Sequence, residues 1–211
     1  MQDREVIEQR ISRFFNAESS RYSKRQENNG LSDSMKFQVE SLVGEDLETI
    51  LDVGSGPGNL LLELAKKGNS KLIGLDLSED MIAIAKQNIE EEGFSDRITL
   101  KHGSLLDANF EETMDGISLH RVLCCHPDRV RMLESCQKLK PRILTICVPR
   151  DWKILRGLAA FLGGISRVFG TFRIFVHSQK SINKQLEDEG YKIKDQLKGR
   201  FWVTTTYELK E

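Results

Sequence analysis

The sequence lacks an excess of charge of either sign: 31 Lys and Arg sit among 32 Asp and Glu, for a net charge of −1. Proteins that grip a nucleic-acid backbone usually carry a basic face or tail, so the overall balance gives no reason to expect a nucleic-acid partner. Cysteine is scarce, with Cys124, Cys125, Cys136 and Cys147 the only four. They form no C-x-x-C pair, and adjacent cysteines make no easy disulfide, which excludes a disulfide framework. Without a second pair at ligand spacing, zinc is not expected and no metal site is assigned. Reduced thiols point to the cytoplasm. Long hydrophobic runs are missing too. In the most apolar stretch, Ile154 to Val176, the longest uncharged run is Gly157 to Ser166, short of the ~20 residues that span a bilayer. Met1 to Arg10 is densely charged, so no secretory leader is expected. There is no internal repeat, low-complexity segment or clear linker. At 211 residues and 39% hydrophobic content, the chain suits a single domain over 1–211.

What is present is alternation. Thr49–Val53, Lys71–Asp76, Ile98–Lys101, Gly116–His120 and Ile143–Val148 read as buried strands. Between them, Asn59–Lys67, a segment capped by Ser78 and stopped by Gly93, and Pro127 to about Leu139 read as helices. Val6–Ser20 and Met35–Val43 form a helical arm over 1–45. Ser181–Glu189 is a further helix, and Tyr191–Leu197 and Phe201–Leu209 form a final strand pair. Ile154, Leu158, Phe161, Ile165 and Val168 make one apolar helical stripe. That segment, within a cap-like insertion at 151–176, either packs on the sheet edge, caps an apolar substrate, or touches a membrane surface. Strand–helix alternation implies an α/β fold with a parallel sheet covered on both faces. Ligands in such folds bind beyond the carboxyl ends of the strands.

The sharpest local signal is Ile50-Leu-Asp-Val-Gly-Ser-Gly-Pro-Gly-Asn-Leu60. A buried strand runs straight into Gly54, Gly56 and Gly58. Glycine permits positive φ and close approach of a ligand to the main chain, and the next helix offers free N–H groups to a carboxylate. Asp52 is placed to pair with a ligand ammonium. Asp76, ending the second strand, is placed to accept two ribose hydroxyls or to cap the next helix. The loop is G-x-G-x-G with Pro57 inside, not the G-x-G-x-x-G of nicotinamide-binding folds.

Leu51-Asp-Val-Gly-Ser-Gly-Pro-Gly58 resembles motif I of the class I S-adenosylmethionine (SAM)-dependent methyltransferases, and Leu75-Asp-Leu-Ser-Glu-Asp-Met81 their second motif. The resemblance covers about Met35 to Val148, and the last strand pair more loosely. It implies a Rossmann-like class I methyltransferase fold: a mostly parallel seven-stranded sheet with an antiparallel C-terminal strand and helices on both faces. It implies that Asp52, Gly54, Ser55, Gly56 and Gly58 hold the methionine moiety, and Asp76 the ribose. Leu77 and Met81 would line the adenine, with Gly103, Ser104 and Leu105 beyond the third strand and His120 beyond the fourth. Ser104 stands where the family usually has Asp, which puts that adenine hydrogen bond in doubt. Arg121-Val-Leu-Cys-Cys-His-Pro-Asp128, Pro149-Arg-Asp-Trp152 and Phe172-Arg-Ile-Phe-Val-His177 resemble a narrower group, the magnesium-protoporphyrin O-methyltransferases and uncharacterised relatives. That implies a related acceptor pocket without fixing the acceptor.

A hydroxyl acceptor benefits from a base, most naturally His; a carboxylate is already ionised. His120 and His177 are the catalytic candidates; His120 is equally readable as a hydrogen-bonded structural histidine, and His177 more readily so. His126 reads as a helix cap. Arg121, Cys124, Arg150, Trp152, Arg173 and His177 are candidates for substrate binding, since arginine forks suit planar anions; each arginine alternatively makes a structural ion pair. Tyr22 and Arg25 lie in the arm that closes over SAM. The expected activity is methyl transfer from SAM, with S-adenosylhomocysteine as product, to oxygen of a small-molecule acceptor. A SAM-binding regulatory protein and an NAD-dependent oxidoreductase are the alternatives. No nucleic acid and no integral membrane segment are expected, and peripheral membrane contact and oligomeric state stay open.

Overall fold

Strand alternation between two apolar faces builds the sheet. In β1 (Thr49–Val53) Leu51 and Val53 join one buried cluster and Ile50 the other. The same split repeats in β2 (Lys71–Asp76), with Ile73 and Leu75 against Leu72. A strand buried on both sides requires helices on both sides. A computed structural model describes residues 2–151 and 172–210, with residues 2, 3, 20 and 22–29 described by backbone alone. The remaining strands are β3 (Ile98–His102), β4 (Gly116–His120), β5 (Ile143–Pro149), β6 (Tyr191–Lys198) and β7 (Trp202–Leu209). They form one seven-stranded sheet in the order β3-β2-β1-β4-β5-β7-β6. Neighbours from β3 to β5 pair in parallel, and β7 runs antiparallel to both β5 and β6.

Helices α2 (Asp33–Val43), α3 (Asn59–Lys67) and α4 (Glu79–Glu91) bury Val39, Leu64 and Ala85 on one face. Helices α5 (Arg129–Lys138) and α6 (Gln179–Asp188) bury Leu133 and Leu186 on the other. Helix α1 (Gln2–Asn29) is one continuous helix, longer at both ends than its apolar positions indicated. Helix α5 starts later than Pro127, because the Asp128 side chain accepts from Arg131 N and makes the cap itself; a short 3-10 turn, Leu123–Cys125, precedes it. The segment proposed as a cap falls mostly outside the described residues, including Trp152 and the Ile154–Val168 stripe, and so do the side chains of Tyr22 and Arg25. No helix among the described residues is long and apolar enough to cross a membrane.

Strand order fixes where a ligand binds. The chain leaves β1 for β2 on one side and later places β4 on the other, so connections diverge from β1 and open a crevice beyond its carboxyl end. Gly74 lets the layers close just beneath that crevice. A Cβ there would lie 2.7 Å from Leu61 Cδ1, 2.8 Å from Leu100 Cδ2 and 3.0 Å from Ser55 Oγ. Gly74→Ala is therefore expected to cost about 1–3 kcal/mol by overpacking, lowering the melting temperature by ~2–4 °C per kcal/mol. An unchanged melting curve would contradict this packing.

Candidate active site

The turn after β1 is shaped by its glycines. Gly54 (φ 68°) donates its N–H to Leu75 O at 2.7 Å, and Ser55 N donates to the same oxygen at 3.1 Å. A Cβ on Gly54 would meet Val122 Cγ2 at 2.5 Å. Gly56 (φ 53°) donates its N–H to Asp76 Oδ2 at 2.8 Å, while Ser78 N donates to Asp76 Oδ1 at 2.9 Å. Asp76 thus ties the loop after β1 to the start of α4. Burial pushes its carboxyl pKa up, and the amides of Ser78 and Gly56 pull it back. Each oxygen keeps acceptor capacity after one hydrogen bond.

A cavity of about 440 Å3 lies over these strand ends. Of the residues expected to hold the cofactor, Gly54, Gly56, Asp76, Leu77, Met81 and Gly103 line it. So do Ser104, Leu105 and His120. Asp52, Ser55 and Gly58 do not. Gly58 (φ 87°) instead opens α3 and packs a hypothetical Cβ at 3.4 Å from Ala85 Cβ. Ser55 Oγ is buried without a partner. Asp52 is 2% exposed, and its Oδ1 has no hydrogen-bond partner. Burial raises its pKa from 3.8 to about 7, partly offset by the Ser118 hydroxyl. An orphaned carboxylate oxygen just before a glycine turn in which a Gly54 Cβ would clash with Val122 suits the ammonium and carboxylate of an amino-acid ligand.

Beyond the end of β4, His120, Arg121 and Cys124 line the cavity together with Trp202 from the start of β7. Gln38 of α2, 0% exposed, fixes the His120 ring. Its Nε2 donates to Thr145 O at 3.3 Å, an atom that only accepts, and to Ser118 Oγ at 3.4 Å. Its Oε1 therefore faces His120 and accepts from Nδ1–H, leaving Nε2 as a bare acceptor. Burial, with Arg121 adding to it, pushes the His120 pKa down to about 3, so this imidazole is neutral at pH 7. Arg121 has φ 61°, a left-handed conformation that costs a non-glycine residue roughly 1–2 kcal/mol, and strain of this kind gathers at functional sites. The guanidinium lies 4.4 Å from the Trp202 ring centre. Its Nε is buried without a partner, and it has no carboxylate partner among the described residues. Cys124 and Cys125 donate Sγ–H to Arg121 O at 3.1 and 3.4 Å and so brace that backbone. Burial and Cys124 raise the Cys125 pKa, which keeps it a thiol. No cluster of His, Cys, Asp and Glu among the described residues is arranged to hold a metal ion.

Three of the candidates lie away from the cavity among the described residues. His177 stands outside the cavity: its Nε2–H is shared between Leu123 O and His126 O, both at 2.9 Å. It ties residues 172–178 to the turn after β4, as does Phe175 N donating to Cys124 O at 2.7 Å. Arg150 turns to Gly199 O at 3.2 Å, and Arg173 lies over the Phe175 ring at 5.1 Å; neither lines the cavity. Other lining residues were not foreseen. Glu8, Ile11, Phe14 and Phe15 of α1 roof the cavity, and Phe14 stacks on Phe172 at 4.3 Å. The spacing of Ile7, Ile11, Phe14 and Phe15 was a readable signal, as was Gln38 within the buried Met35, Val39, Leu42 stripe.

Asp52 generates a pH prediction. It keeps its proton up to about pH 7 when folded but loses it near pH 3.8 when unfolded, so stability falls as pH rises through that window. Asp52→Asn removes the loss. The variant should melt above the wild type at about pH 8, and the two should converge near about pH 4. A gap of equal size at both ends would contradict the assignment.

Residues 50–141 match the family model described as methyltransferase domain. The ribosomal protein L11 methyltransferase of Syntrophomonas wolfei is 34% identical over 92 residues, 42% of this chain and 30% of that protein. The demethylmenaquinone methyltransferase of Lactiplantibacillus plantarum is 30% identical over 103 residues, 47% of this chain and 44% of that protein. The chain thus spans less than half the length of either curated relative. The crystal structure of magnesium protoporphyrin IX methyltransferase from Synechocystis with bound S-adenosylhomocysteine superposes with a TM-score of 0.71. It covers 95% of this chain and 98% of that one at 22% identity, a likeness of fold. Residues 50–141 are thus similar to a methyltransferase domain, on a chain with the Rossmann-like fold of the Synechocystis methyltransferase.

Proposed function

We propose that this chain is a SAM-dependent methyltransferase acting on an oxygen of a small, anionic acceptor, and that it works in the cytoplasm. The observation that carries the reading is continuity. One cavity runs from the glycine turn and Asp76 past His120 to Arg121 and Trp202. Its volume of about 440 Å3 and its α1 roof suit small molecules rather than a macromolecular surface. Gly54, Gly56 and Asp76 offer backbone approach and a carboxylate to an amino-acid-bearing nucleoside. The orphaned Asp52 oxygen lies just before the same turn.

Bound SAM supplies a methyl group on a sulfonium, which leaves as a neutral thioether. Proximity and alignment supply much of such a displacement, ~7–11 kcal/mol in well-oriented systems. Arg121, stacked on Trp202 and without an acid partner among the described residues, is placed to hold an acceptor carboxylate. A His120 pKa near 3 suits a hydrogen-bond acceptor better than a proton store. Both favour an acceptor that is already ionised, with no proton to remove. The four cysteines are free, in keeping with a reducing compartment.

The test is S-adenosylhomocysteine release from SAM with a metabolite extract, followed by mass spectrometry. Wild type should turn over, and Gly54→Ala, strained at φ 68° and crowded by Val122, should lose about tenfold or more in SAM affinity. With SAM saturating at each pH, so that Asp52 titration does not limit binding, turnover should stay flat between about pH 5.5 and 8.5 with a carboxylate acceptor, whereas a rise with pH would assign a hydroxyl. A folded wild type that ignores SAM but is stabilised by NAD would overturn the proposal; SAM binding without turnover on any extract would make it a regulatory protein.

A further inference from the structure

Helix α1 carries a carboxylate into the cavity that methyl transfer does not use. Glu8 is 8% exposed. Its Oε1 accepts from Ser104 Oγ at 2.7 Å, and its other charged neighbour on α1 is Arg4, with Nε 3.9 Å from Oε2. A carboxylate has about four acceptor positions, and Glu8 Oε1 accepts from Ser104 Oγ alone among the described residues, which leaves it capacity for a ligand donor. Ser104 Oγ is itself committed, since it also accepts from Leu106 N at 3.1 Å.

Beside Glu8 stands a donor with no partner among the described residues. Asp128 N donates to His126 Nδ1 at 3.1 Å. A backbone amide only donates, so the ring proton sits on Nε2. That Nε2–H is buried without a partner on a residue 4% exposed. It lies 4.0 Å from Glu8 Oε1, too far for a hydrogen bond. Leu105 and Met132 line the same cavity. The site therefore offers an acceptor next to a donor in apolar surroundings, with room for a ligand edge to complete both.

Strand order says which edge. The glycine turn follows β1, Asp76 ends β2, and Gly103–Leu105 follow β3, the next strand outward. A nucleoside whose amino acid lies over β1 and whose ribose lies at β2 carries its base toward β3, where Ser104 holds Glu8. Resting on the SAM site proposed above, we infer that Glu8 and His126 read the amine-bearing edge of the cofactor's adenine. The exocyclic amine donates to the Glu8 carboxylate, and a ring nitrogen beside it accepts from His126 Nε2–H. Adenine presents that donor next to an acceptor. A 6-oxo purine presents an oxygen where the amine was, which the carboxylate repels. The recognition group for the base thus sits on the N-terminal helix.

Calorimetry with S-adenosylhomocysteine and S-inosylhomocysteine on the full chain tests this. The wild type should prefer the adenosyl ligand by roughly tenfold or more. In Glu8→Gln the adenosyl ligand should weaken by about tenfold while the inosyl ligand changes by less than about twofold, so that the preference collapses. The same collapse is expected in His126→Phe, which keeps the bulk of the ring. If both ligands weaken by one common factor, or neither changes, base reading by these residues is overturned. A folded wild type that binds neither ligand would overturn the cofactor site itself, a result distinct from loss of selectivity.

Discussion

The Asp76 carboxylate holds the end of β2 to two other segments at once. One oxygen takes the Gly56 amide from the turn after β1, and the other takes the Ser78 amide that opens α4. Both bonds are stronger to a charged acceptor, and burial alone would drive the group toward its neutral form. The amides oppose that drive, so carboxylate and loop stabilise each other. Positive φ at Gly54 and Gly56 is the geometric condition for the amides to turn toward the strand ends. The crevice is thereby shaped before any ligand arrives, which limits the ordering cost of binding.

The rest of the site is built onto that edge by distant elements. Helix α1 closes one side with Phe14, Phe15 and Glu8, and residues 172–178 are stitched to the turn after β4 by Phe175 and His177. His120 and Arg121, adjacent in sequence, are put to opposite uses. Gln38 holds the first as a neutral acceptor, and a left-handed backbone turns the second over Trp202 as a fixed cation. The pairing makes chemical sense if charge at the acceptor comes from the acceptor itself.

Strands were readable because each is a short apolar run ended by glycine or a polar cap: Thr49–Val53, Lys71–Asp76 and Gly116–His120 coincide with β1, β2 and β4. The glycine turn and Asp76 were readable because their geometry is local. Glu8 was not, since its partner Ser104 is 96 residues away and nothing around Glu8 marks it off from other charges on α1. The surroundings of His177 were no more legible. A histidine before a helix looks like site chemistry, but its proton goes to two carbonyls that no local pattern announces. The same holds for Arg150 and Arg173, because an arginine near a strand end carries no sign of which way it turns.

The central claim is that Asp76 both shapes the turn and receives the sugar of the bound nucleoside. Calorimetric titration of folded Asp76→Ala with S-adenosylhomocysteine tests it most directly. The account predicts affinity lower by about tenfold or more, the scale of losing hydrogen bonds to a charged group. Unchanged affinity would contradict it.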